Sequence, residues 1–165
     1  MKEEKAPEAY KYAIGMVLNE ATILWSSSSA FLIANSILVA VIANILTIKS
    51  EDFLFQINPT LILLSVSIIG IIVCILWFFN FNRRSDYYKF RAAQVKKFEP
   101  PSWELFSGIG EKFTKGEVVH LNGSHFSFSL FSRIRPRILI SLFISLFLII
   151  YAVALAISLF TFFYF

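Results

Sequence analysis

The residues of this chain that could do chemistry are few, and their spacing argues against catalysis. Ser107-Gly108-Ile109-Gly110-Glu111-Lys112 holds glycines and ends on a lysine. It lacks the glycine spacing and the Ser or Thr of a phosphate-binding loop, and it does not follow a buried strand. His120 and His125 stand five apart with no Cys or acidic cluster at ligand spacing, so no metal site is expected. Cys74 is the lone cysteine and lies in an apolar run. A thiolate is disfavoured there, which makes it a poor nucleophile and leaves no intrachain disulfide to form. No Ser/His/Asp arrangement has local support. We expect a protein that is not an enzyme and uses no cofactor.

What remains is polar chemistry in unusual surroundings, and the elements that place it are membrane spans. The 165 residues are 57% hydrophobic and 16% charged, with a mean hydropathy of +0.69. Soluble domains carry roughly 25% charged residues. No Asp, Glu, Lys or Arg occurs in 21–48, 53–82 or 138–165. Each run exceeds the ~20 residues that a helix needs to cross a ~30 Å hydrocarbon core. The fold class expected is an all-α membrane protein with three transmembrane helices. Residues 1–26 form an amphipathic cytoplasmic helix, starting near Pro7-Glu8 and running into the first span. A transmembrane hairpin occupies 27–82, with spans at about 27–48 and 59–81. A basic cytoplasmic segment fills 83–137, and the third span covers 138–165.

Charge sets the orientation. Residues 83–137 hold eleven of the fifteen Lys and Arg and five of the eleven Asp and Glu, a local balance of +6. Basic loops stay on the cytoplasmic side. The N-terminus is therefore expected inside a cell membrane, the 49–58 loop outside and the C-terminus outside. The start Met-Lys-Glu-Glu-Lys has no early apolar core, so a signal peptide is not expected.

In the first span Asn35 and Asn44 are the most polar groups at depth. Nine residues at about 100° each turn them to opposite faces. They serve either as interhelical hydrogen-bonding groups or, with Ser28 at the inner mouth, as the lining of a polar path. Opposed asparagines suit a helix packed on both sides, which a three-helix monomer barely provides. Ala30, Ala34, Ser36 and Ala40 in the first span, and Gly70 and Cys74 in the second, recur at spacings that let helices approach closely in lipid. Trp25 and Trp77 sit where indole rings anchor at the inner interface. No Asp, Glu, His, Lys or Arg lies in any span, which disfavours an ion-coupled carrier.

In the basic segment, Arg83, Arg84, Lys89, Arg91, Lys96 and Lys97 are interleaved with Tyr87, Tyr88 and Phe90 on a helix stopped by Pro100-Pro101. A short helix from Ser102 is expected, broken by Gly108, Gly110 and Gly116. A small hairpin follows around Asn122-Gly123. Arg133, Arg135 and Arg137 precede the third span. These cations either hold topology and touch anionic lipid, or bind an anion or a partner protein. Nucleic acid is one such anion, since arginines with aromatics suit base stacking.

In layout, these three spans and their basic cytoplasmic segment resemble the small multi-pass membrane effectors and accessory proteins of bacterial antiviral systems. The resemblance is one of layout and rests on no motif. It implies an inner-membrane protein of antiviral defence. The small-residue faces and opposed asparagines themselves lead to the expectation of a symmetric, cyclic homo-oligomer, acting as a pore, an ion channel or a membrane-perturbing effector controlled through residues 83–137. The alternative is a non-catalytic platform that docks a soluble partner on its cytoplasmic face.

Overall fold

The computed structural model describes residues 5–47, 58–100, 106–121, 124–127 and 136–164. Its elements are α1 (Lys5–Thr47), α2 (Pro59–Phe98), α3 (Gly108–Thr114), β1 (Val119–Leu121), β2 (Ser124–Phe126) and α4 (Pro136–Tyr164). Three helices, α1, α2 and α4, are long and apolar enough to cross a membrane. At 1.5 Å per residue α1 is about 65 Å long and α2 about 60 Å, roughly twice a hydrocarbon core. Both therefore continue well past their apolar part. The amphipathic N-terminal segment and the first span are one unbroken helix.

Local chemistry explains the helix ends. The Asn58 side chain accepts from the Thr60 backbone N–H at 2.9 Å, capping α2, with Pro59 at its first position. α2 stops at Phe98, just before Pro100. α4 also opens on a proline, Pro136.

The chain divides into two compact units. One comprises Met1–Trp25 and Asn82–Leu139, the other Ser26–Phe81 and Ile140–Phe165. In the first, Tyr10, Val17 and Val95 are buried together with Ala13, Ile14 and Phe106 packed on them. The Tyr10 and Val17 spacing of seven is one face of α1. β1 and β2 pair antiparallel, with Val119 opposite Phe126, His120 opposite His125 and Leu121 opposite Ser124. α3 departs from the sequence expectation, because helix forms where Gly108 and Gly110 were read as breakers. Tertiary anchoring overrides their weak propensity. Ser107 O accepts the Glu111 N–H at 2.9 Å, and the Glu111 carboxylate pairs with Lys96 of α2 and Lys115. The expected helix start at Ser102 lies outside the described residues.

In the second unit the buried residues of α4 are Ile140, Ile144, Phe147, Tyr151, Ala154 and Ser158, a three-and-four spacing along one face. Trp77 is not a free interfacial anchor. It is 1% exposed, stacked on Phe31 at 6.1 Å and tilted against Phe147 at 6.3 Å, whereas Trp25 is exposed.

Candidate functional site

Asn35 gathers the polar chemistry of the spans. Its Nδ2 donates to Phe31 O at 2.8 Å within α1. Its Oδ1 accepts the Tyr151 hydroxyl of α4 at 2.9 Å and the Cys74 thiol of α2 at 3.3 Å. The Tyr151 hydroxyl also lies 3.2 Å from Asn35 O. All three side chains are fully buried. Lipid supplies no replacement hydrogen bonds, so a node drawing one group from each helix fixes their mutual register. Gly70 makes room for it: a Cβ there would overlap Cε1, Cδ1 and Cζ of the Tyr151 ring. The close-approach face read at Gly70 and Cys74 thus receives an aromatic ring. The node holds no activated nucleophile, and what it can do is lock.

The opposite face of α1 is exposed and mixed, with Ile33, Ile37 and Val41 among its polar and small residues. Asn44, half a turn from Asn35, is exposed, as are Ser26, Ser29, Ala30, Ser36, Ala40 and Thr47; Ala34 is half-buried. Ser36 donates back to Leu32 O at 2.9 Å, and Thr47 to Ala43 O and Asn44 O at 3.2 and 3.0 Å. The Asn44 amide has no hydrogen-bond partner among the described residues. Ser28 turns inward, 4% exposed, and its hydroxyl also has no partner among them. α2 also turns apolar residues outward, Ile68, Ile69, Ile72, Ile75, Leu76 and Phe79. Only 11% of the apolar window of α1 is buried, against 28% for α2 and for α4. The helix that carries both asparagines is the one least covered by its own chain.

Residues 7–160 match the octameric membrane protein family (8xMP). The chain belongs to that family. No curated protein and no solved structure matches it. As a member it is a homo-oligomeric integral membrane protein, so other copies of the chain are among the neighbours available to the bare face of α1.

The basic residues of the family member fall into two groups. Several are held by partners within its own unit: Arg84 with Glu20 at 3.6 Å, Lys89 with Asp86 at 3.4 Å and Lys96 with Glu111 at 2.9 Å. Arg137 donates to Asn82 Oδ1 at 2.7 Å, and Arg91 to Gln94 Oε1 at 2.8 Å while lying over the Phe90 ring. Arg83, Tyr87, Phe90 and Lys97 follow one exposed face of α2, with Arg83 5.8 Å from the Tyr87 ring centre. Arg133 and Arg135 lie outside the described residues. His120 and His125 meet edge to face at 4.3 Å, and no third ligand joins them among the described residues.

Sequence reasoning passed over two residues that organise these units, Tyr151 and Glu99. Glu99 Oε1 accepts Phe106 N–H at 2.7 Å and Oε2 accepts Ser107 N–H at 2.8 Å. Tyr10 also meets this carboxylate, and its hydroxyl pKa is raised first by burial and then by the Glu99 charge. The signal was an acid just before Pro100-Pro101, where a carboxylate can cap the chain that follows. Glu99→Ala should leave two backbone donors unmet and cost about 2 kcal/mol. Hydrogen exchange should show the Phe106 and Ser107 amides losing protection.

Glu111 offers a pH test. Its hydrogen bonds to Lys115 and Lys96, with their charges, bring its pKa from 4.5 down to about 2. A lowered folded pKa means the pairing contributes fully above the ordinary value and fades as pH falls through the folded one. The α3 amide resonances should hold steady at pH 6 and shift between about pH 4.5 and 2. The pairs are exposed, so salt should weaken them.

Proposed function

We propose that the chain assembles as a ring of eight and acts as a membrane pore, with the outward face of α1 turned to the central path. The observation that supports this best is Asn44: an unpartnered amide on an exposed face of an apolar span, in a homo-oligomeric family. Facing lipid, that amide is costly; facing water it is solvated. Eight helices at interaxial distances of 8–10 Å have their axes on a circle about 10–13 Å in radius. Subtracting about 5 Å for each helix leaves a lumen about 5–8 Å in radius. Such a path passes hydrated ions and small solutes with weak selectivity.

In this proposal the ring sits in the cell membrane with residues 83–137 in the cytoplasm, as the positive-inside rule directs. The exposed Arg83, Tyr87, Phe90 and Lys97 face receives the controlling anion or protein, an arrangement in keeping with effectors of antiviral defence. That same face favours the second reading, a platform that docks a soluble partner and conducts nothing. Reconstitution in planar bilayers separates the two. The pore proposal expects discrete conductance steps from purified oligomer, and silence with and without anionic ligands would sink it. Under the platform reading, charge removal at Arg83 and Lys97 abolishes capture of a soluble protein, and the bilayer stays silent.

A further inference from the structure

Outside the apolar spans, α1 carries a second set of exposed groups that a single copy leaves bare. On its core side lie Tyr10 and Val17, both buried. Away from that side Tyr12 is 73% exposed, Met16 49% and Leu18 62%. Met16 and Leu18 differ by two residues, about 200° around the helix, so they stand on opposite flanks. Lys11, Gly15 and Leu18 follow one flank at spacings of four and three, and a Cβ on Gly15 would meet nothing within 4 Å. The open space at Gly15 lies at the edge of a groove of about 510 Å³, lined by Glu8, Lys11, Tyr12, Gly15, Met16 and Asn19, that runs between the two flanks. From Lys11 to Met16 is five residues, about 140°. In a ring of eight a helix touches its two neighbours at flanks about 135° apart, the corner angle of an octagon.

We propose that in the assembled ring Met16 of each copy seats in the hollow at Gly15, between Lys11 and Leu18, of the next copy. The contact is heterologous and closes a seam of α1 helices outside the apolar spans. It rests on the eight-fold assembly and not on conduction. A flexible thioether fills an irregular hollow well, and a residue without a side chain lets two helices draw close. Glu8, Tyr12 and Asn19 then lie between the two flanks and face the ring axis. The occupant is a second copy of this chain because the two flanks complement each other and the family is oligomeric.

Disulfide trapping in lipid nanodiscs tests the seam. Chains carrying Met16→Cys and differently tagged chains carrying Leu18→Cys are co-expressed and oxidised. Mixed dimers are expected, while either variant alone gives none. The two positions on one helix point apart and cannot bridge within a chain. The doubly substituted chain should give a ladder reaching eight copies, and the parent chain, whose lone Cys74 is buried, should give no ladder. Gly15→Leu fills the space at Gly15, where a Cβ meets nothing within 4 Å of its own protomer, so the ladder and the full ring mass should both be lost while α1 stays helical. Absence of mixed dimers from rings of intact mass overturns the seam, as does Gly15→Leu with mass and ladder unchanged. Both are the outcomes expected if Met16 and Leu18 lie in lipid or against another protein. A full ladder from a ring that does not conduct supports the seam and removes only the pore.

Discussion

Gly70→Ala is expected to destabilise the protein by about 2 kcal/mol, against the helix-propensity trend. Replacing Gly by Ala in a helix interior normally gains about 1 kcal/mol. Here the new methyl would overlap three atoms of the Tyr151 ring. Overpacking of that kind costs about 1–3 kcal/mol. The ring cannot retreat freely, because its hydroxyl is held at Asn35 and its face packs on Phe147 at 6.5 Å. Moving it stretches interhelical hydrogen bonds, each contributing roughly 0.6–2 kcal/mol in a membrane. Denaturant titration of the protein in bicelles measures the loss. Tyr151→Ala removes the obstacle, so the added cost of Gly70→Ala should vanish in that background. Equal effects in both backgrounds would mean that the ring is not what Gly70 accommodates. The non-additivity is itself the evidence of contact.

The spans were legible because charge is so costly in lipid that its absence marks them. The opposed asparagines were legible too, since nine residues on a helix set an angle without help from packing. Which asparagine turned inward was not, because that depends on where Tyr151 and Cys74 lie on other helices. Tyr151 carried no signal of its own: an aromatic residue among Leu, Ile and Ala reads equally as core or as lipid contact. The pairing of a glycine on one span with a large polar aromatic on another becomes visible only in three dimensions. In the basic segment, composition showed the charge and missed its division. Lys96 belongs to Glu111, fifteen residues on, and Arg137 to Asn82, fifty-five residues back. What stays exposed as a cation–aromatic face is narrower than the cluster read from sequence. α3 was missed because glycine propensity was weighed without the anchors that Glu99 and Lys96 provide.

The two asparagines divide the proposed function into separable measurements. Asn44→Leu should leave protomer stability within about 0.5 kcal/mol, since the side chain touches no partner among the described residues. In the ring it would replace eight amides by eight apolar groups at one level of the path. Apolar constrictions exclude water and close a pore to ions. Unit conductance should fall on the order of tenfold, equivalent to about 1.4 kcal/mol on the barrier. Asn44→Ser keeps the position wet and should retain most of the current. Asn35→Leu is the contrasting variant, because it removes the side-chain acceptor of Tyr151 and Cys74 and leaves the Tyr151 hydroxyl only the backbone Asn35 O at 3.2 Å. It should cost about 2 kcal/mol of stability, and rings that survive should conduct as the parent does. Single-channel recording beside bicelle unfolding reads both axes on the same preparations. If Asn44→Leu lowers stability and spares conductance, the outward face of α1 is a packing seam within the bilayer and the path runs elsewhere. If Asn35→Leu instead abolishes conductance at unchanged stability, Asn35 lines the path and the Tyr151–Asn35–Cys74 node must open for current to pass.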